Sequence, residues 1–173
     1  MFQASFKHRI YAFILDYVLI VLYGVFVVGT ISFIFKSTVT PLFSNSPVIA
    51  QLTGFLMITL PVSLYFIICE SSKWQGTFGK RKMGVYVVDR FGQRIGFARS
   101  SLRTTIKFLP WEVAHYGVWR LMLPNKLPEI AVFVILNAVN LAILFYLLIP
   151  LTNSSRKNVY DFAAGTRVVK KSL

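Results

Sequence analysis

An all-α integral membrane fold is predicted for this chain, with four transmembrane helices and a small cytoplasmic β-hairpin between helices 2 and 3. Three observations carry that expectation. Uncharged apolar stretches long enough to cross a bilayer occur three times within 173 residues. Hydrophobic residues make up 55% of the chain, charged residues 14%, and the mean hydropathy is +0.63. So small and apolar a chain could not cover its own apolar surface in water. The charge is also one-sided, with 19 Lys+Arg against 6 Asp+Glu. This composition excludes disorder, and the single Cys69 excludes an internal disulfide framework.

The first span is predicted over residues 10–35. Tyr17 to Phe35 is uncharged, and the apolar pattern begins at Ile10. About 20 helical residues cross the hydrocarbon, and backbone groups in lipid must bond internally, so the run should be a helix. It exceeds the apolar core of a signal peptide and no small-residue cleavage site follows, so it is expected to remain as an anchor. The second span, over 48–69, rests on the uncharged run Val48 to Cys69.

Residues 70–101 form the predicted cytoplasmic loop. Val85-Tyr86-Val87-Val88 is β-branched and aromatic, Asp89-Arg90-Phe91-Gly92 supplies turn chemistry, and Gln93-Arg94-Ile95 returns. A short hairpin results, and two strands alone are marginal. Gly165-Thr166-Arg167-Val168-Val169 repeats the pattern of the first strand and offers a third. Arg99, Arg103 and Lys107 then recur every four residues, beside an apolar face of Leu102, Ile106 and Leu109. That is a basic amphipathic helix running into the third span, over 102–123.

The third span is short and polar. Phe108 to Leu123 carries Glu112, His115 and Arg120, so it either crosses or re-enters. The fourth, over 130–151, contains no charge, and a tail follows over 152–173. Basic residues arbitrate, because loops on the cytoplasmic side carry the excess of Lys and Arg. Two precede the first span, nine lie between the second span and the polar run that starts at Phe108, and five follow the fourth. Four crossings put all of these on one side and leave Lys36, Arg120 and Lys126 outside; three crossings would strand the basic tail. Both termini are therefore expected in the cytoplasm, with outer loops at Lys36 to Pro47 and Pro124 to Pro128.

Ionisable groups within spans point to chemistry, because a charge at mid-bilayer costs from about 2.5 kcal/mol upward. Asp16 in the first span, and Glu112 with His115 at i, i+3 on the third, are the candidates for binding an ion or proton. Asn137, Asn140, Thr53, Thr59 and Ser63 would add a polar interior, more as hydrogen-bonding glue than as ligands. Lys80, Arg81, Arg99, Arg103 and Lys107 are candidates for the phosphates of anionic lipids. Thr77-Phe78-Gly79-Lys80-Arg81 lacks the spacing of a nucleotide loop, leaving a headgroup phosphate as the most it would bind. Topology already explains the basic excess, so no nucleic-acid partner is expected. With His8 and His115 the only histidines, no catalytic set, metal site or cofactor site is evident.

Three motifs carry a family resemblance. Arg9 precedes Asp16 in the first span. Thr77-Phe78-Gly79-Lys80-Arg81-Lys82-Met83-Gly84-Val85 runs on to Val87-Val88-Asp89. The tail reads Val159-Tyr160-Asp161-Phe162-Ala163-Ala164-Gly165-Thr166-Arg167-Val168-Val169. In this order they resemble the RDD family of bacterial membrane proteins, named for one arginine and two aspartates, which fall here on Arg9, Asp16 and Asp161. The resemblance implies residence in the bacterial cytoplasmic (inner) membrane and a suspected role in transport; some members are described as sodium/proton antiporters, and many with two or three spans. The expectation is a non-enzymatic, transport-related protein that exchanges cations or protons through intramembrane carboxylates. Arg9 and Asp161 would form a gate or brace near the cytoplasm. Four helices enclose little volume, so a homo-oligomer or a membrane partner is expected. The alternative is a non-transporting scaffold or assembly module whose basic layer holds lipid or protein.

Overall fold

Ser5 opens the first helix, its hydroxyl accepting the backbone N–H of His8 at 3.4 Å, the local bond of an N-cap. The structure, a computed structural model, describes residues 2–170; Lys171, one of the basic residues of the tail, lies outside the described residues. The elements in chain order are β1 (Phe2–Gln3), α1 (Phe6–Ile34), α2 (Lys36–Ser44), α3 (Pro47–Ser71), α4 (Phe78–Lys82), β2 (Val85–Asp89), α5 (Phe97–Met122), α6 (Glu129–Thr152), α7 (Val159–Ala163) and β3 (Thr166–Lys170).

The predicted spans fall on α1, α3, α5 and α6. α1, α3 and α6 are long and apolar enough to cross a membrane, with mean hydropathies of 2.4, 2.1 and 2.6. At about 1.5 Å per residue α5 is also long enough, but Glu112, His115 and Arg120 interrupt its apolar face. Pro47 starts α3 where its missing N–H does no harm. α1 and α3 each contain a π-helical stretch, Gly24–Gly29 and Phe55–Thr59. The Tyr23 hydroxyl donates to the Met57 carbonyl at 2.8 Å, within the second of these wide turns. The segment read as a first outer loop is largely helical, as α2.

The cytoplasmic hairpin is corrected by the structure to a three-stranded antiparallel sheet of order β1-β3-β2. The return arm, Gln93 to Ile95, makes one isolated bridge, Val88 to Arg94. Helix α5 begins at Phe97 and leaves it no room to extend. β2 pairs instead with the tail, Val85 opposite Lys170 through Asp89 opposite Thr166, and β1 adds to the other edge of β3. Val85, Val87, Ile95 and Val168 form the buried core with Ala4 and Ala12.

β2 and β3 are halves of an internal repeat. A five-residue helix, a two-residue turn that ends on a left-handed glycine and a five-residue strand occur twice, with Gly84 at φ 64° and Gly165 at φ 61°. Both glycines sit where an L side chain would be strained. In register the central pair is Val87 opposite Val168, which occupy the same place in the two copies. A local two-fold therefore relates them. It makes Thr77 the counterpart of Asn158, and Lys80 the counterpart of Asp161.

The chain folds as two compact units. The first combines the amino end through Ile20, Val62–Lys107 and the chain from Phe145 on. The second combines Val21–Pro61 and Phe108–Leu144. In the second, Gly117 allows close helix contact, since a Cβ there would lie 2.6 Å from Leu136 Cδ2.

Candidate functional site

In the first unit Asp16 is only 2% exposed, and three neutral donors bond its carboxylate. Its Oδ1 accepts the Tyr65 hydroxyl at 3.0 Å and the Gly79 backbone N–H at 2.8 Å. Its Oδ2 accepts the Thr77 hydroxyl at 2.5 Å. The Tyr65 oxygen in turn accepts the Phe78 N–H at 2.7 Å. The loop that enters α4 is thus pinned to α1 through one carboxylate. Gly79 is required for this approach: a Cβ would stand 2.1 Å from the Ala12 carbonyl oxygen.

A second buried cluster lies in the same unit. Arg103, 2% exposed, donates from Nε to Glu70 at 2.8 Å and from Nη1 to Asp161. Asp161 Oδ1 also accepts the Thr166 hydroxyl at 3.0 Å, and its Oδ2 accepts the Asn158 N–H at 3.0 Å in a capping box at the start of α7. Arg9 reaches Asp161 at 3.5 Å and the Val168 carbonyl at 3.3 Å. Lys80 donates to Glu70. The chain of charges Arg9–Asp161–Arg103–Glu70–Lys80 therefore ties α1, α3, α4, α5, α7 and β3 together. Each fully buried charge has partners, as it must. The Arg103 guanidinium also lies 4.6 Å from the centre of the half-buried Tyr160 ring. Burial, with Asp161 alongside, pushes the Tyr160 phenol up to about 12.

The second unit holds a different kind of pair. Glu112 accepts the Thr59 hydroxyl, and its Oε1 lies 3.6 Å from His115 Nδ1. Gln51 donates to the Glu112 carbonyl at 3.5 Å. The His115 ring packs edge-on to Trp111, 4.8 Å between centres. Both side chains are about one-quarter exposed, 21% for Glu112 and 27% for His115.

The predicted residues thus sort into groups. Arg9 and Asp161 meet, as a brace between them requires. Asp16 does not pair with Arg9; its partners are Tyr65, Thr77 and Gly79. Among the lipid-phosphate candidates, Lys80 and Arg103 are buried or nearly so in the ion network, and Lys107 Nζ sits 3.4 Å over the Phe66 ring. Arg81 is exposed and lies over Trp74 at 4.7 Å. Arg99 is bonded to Asp89 at 3.3 Å. The Gln93 and Phe91 backbone N–H groups, with Arg99, hold the Asp89 carboxyl below its ordinary range. Asn137 and Asn140 are exposed, and Asn137 bonds its own helix at the Phe133 carbonyl, so they do not face a polar interior.

Glu70 and Tyr65 escape a reading of the sequence, and Thr77 and Gly79 enter it only through their motif, not as partners of Asp16. The available signal was Glu70, an acid at the end of a span in a chain with few acids and a basic loop to follow. Among the described residues no group of three or more His, Cys, Asp or Glu gathers as a metal would require.

Long apolar helices joined by a buried ion network and a small terminal-strand sheet define a multi-pass α-helical membrane protein. The RDD family profile matches residues 3–165, nearly the whole chain, and the protein belongs to that family. Neither the curated proteins nor the solved structures contain a match to it.

Proposed function

We propose that the protein is a non-enzymatic transporter of the bacterial cytoplasmic membrane that exchanges protons for cations, with Glu112 and His115 as the exchanging pair. One observation carries this reading. Asp161, Glu70 and Asp89 are tied to arginine or lysine, and Asp16 is saturated by neutral donors. Glu112 differs, because its ionic partner is a histidine, the side chain whose charge changes near neutral pH. A carboxylate whose partner titrates can give up or take a proton without stranding a fixed buried charge. The exchanging role thus moves from Asp16 to α5, and Asp16, Arg9 and Asp161 become a rigid frame.

The four-span topology, with both termini cytoplasmic, belongs to this proposal. The first unit gathers the amino ends of α1 and α5 and the carboxyl ends of α3 and α6, while the second gathers the opposite ends. Four antiparallel crossings produce that alternation. A homo-oligomer would supply the enclosed volume that four helices lack.

Reconstitution tests the reading. Vesicles holding the protein and a pH-sensitive dye are given a sodium or potassium gradient. Wild type should move protons, and Glu112→Gln should fall to the level of empty vesicles while remaining folded. Equal flux from the two would remove Glu112 from the mechanism.

A second reading, a scaffold that grips anionic lipid, is favoured by the fringe of the first unit. Arg81 over Trp74, Lys82 over Phe78 and Arg90 over Phe91 set exposed cations beside exposed rings, the side-chain mixture suited to headgroups. Under this reading, replacing Arg81, Lys82 and Arg90 together lowers retention of anionic lipid on purification, and flux is absent in wild type.

A further inference from the structure

Two faces of helix α6 differ in what they meet. On one, Val132 and Val139 are buried, and Leu136 packs beside Gly117 of α5. The other is exposed. Along it Ile130, Phe133, Asn137, Asn140 and Leu144 recur at alternating intervals of three and four residues, all within the second unit. That spacing is the a/d seam of a coiled coil over two heptads. Its apolar members would rest equally well against lipid, but the asparagines would not. Asn140 lies at the middle of α6, and Asn137 about one turn nearer Glu129. The Asn137 amide donates to the Phe133 carbonyl of its own helix at 2.8 Å. Its Oδ1 and the whole Asn140 amide have no partner among the described residues. A carboxamide carries two donors and an acceptor oxygen, and hydrocarbon holds no water to satisfy them, so leaving them bare is costly.

We propose that this seam is the contact between two copies of the chain, joined in parallel through α6. Two copies inserted with the same orientation are related by an axis along the membrane normal, so their α6 helices run parallel. Each asparagine then meets the same residue of the second copy at the same depth. A carboxamide both donates and accepts, so it is complementary to itself, and the two amide layers are matched together. A different helix would need amides at both depths. A polar residue in such a seam fixes register and the number of strands, and amide bonds between helices hold them together in lipid. The inference rests on α6 crossing the bilayer, as in the four-span reading above, and gives the homo-oligomer of that reading its seam. It uses neither Glu112 nor His115.

Disulfide cross-linking and energy transfer test the seam in the full-length chain. With the buried Cys69 replaced by alanine, Leu144→Cys on the seam and Ala138→Cys, exposed but off it, are oxidised in membranes and separately treated with a membrane-impermeant maleimide. The seam variant should form a dimer band and the off-seam variant none, with both protected from the maleimide. Ready labelling of Ala138→Cys would place α6 in water and overturn the topology together with the seam. Protection without a dimer band from Leu144→Cys, or equal bands from both variants, would overturn the seam alone. Energy transfer between donor- and acceptor-labelled copies, diluted in lipid vesicles, then reads the strength of association. Asn137→Leu with Asn140→Leu leaves the packed face of α6 untouched and should weaken association roughly tenfold, the loss of two interhelical amide contacts. Unchanged association in that variant would also overturn the proposal, since lipid or another protein would then cover the asparagines.

Discussion

Replacing Asp16 separates a frame from a carrier. Asp16→Asn keeps the shape of the side chain. With its amide oxygen at the Oδ1 position it still accepts from Tyr65 and Gly79, and its NH₂ meets Thr77 Oγ1, which can turn to accept. The number of hydrogen bonds is preserved and only the charge is lost. Charge-assisted bonds exceed neutral ones by about 1 kcal/mol each, and a neutral amide is cheaper to bury, so the net loss should be about 1–3 kcal/mol. Asp16→Ala strands all three donors. At about 1–3 kcal/mol for each unsatisfied buried group, it should lose at least about 3 kcal/mol. Tryptophan fluorescence during detergent unfolding measures both variants. The reasoning fails if Asn and Ala are equally harmful. It also fails if Asp16→Asn keeps full stability and abolishes flux, since Asp16 would then be a carrier.

Gly79→Ala should destabilise by about 1–3 kcal/mol or more, because its Cβ would overlap the Ala12 carbonyl; the same unfolding assay reads it. Arg103→Met leaves Glu70 and Asp161 each short of a buried partner and should cost about 3–5 kcal/mol, and Arg103→Lys should recover little of it, since one ammonium cannot serve both carboxylates in the guanidinium geometry. Tyr160 gives a pH signature. Its phenol ionises at about 12 in the fold and near 10 when unfolded, so its contribution is intact below pH 10 and is lost as pH rises toward 12. Stability curves of wild type and Tyr160→Phe should therefore run parallel below pH 10 and diverge above it, with wild type the more sensitive to alkali.

The spans were legible because the bilayer fixes a length of about 20 residues and rejects charge, a constraint written into local composition. The same constraint leaves α5 ambiguous, because Glu112, His115 and Arg120 erase the apolar signal without preventing the helix. The pairing of β2 with β3 was visible in the repeated glycine-valine pattern. The hairpin was misread for a local reason: Asp89 takes up the Phe91 and Gln93 N–H groups and forms the turn, but α5 starts before the return arm can lengthen. The ion network was largely hidden. Arg9 and Asp161 could be set together through the family motif, whereas Arg103 with Asp161 and Glu70 bridges 58 and 33 positions of chain, and no periodicity encodes such contacts. Asp16 was recognisable as buried, but its three neutral donors depend on how α4 docks.

Infrared titration of the carboxyl C=O band asks directly which acid exchanges its proton. In the reconstituted protein, a carboxyl band that changes when sodium or potassium is added should vanish in Glu112→Gln, shift in His115→Gln and persist in Asp16→Asn. A band that survives Glu112→Gln and disappears in Asp16→Asn would contradict the division between a fixed frame and an exchanging pair.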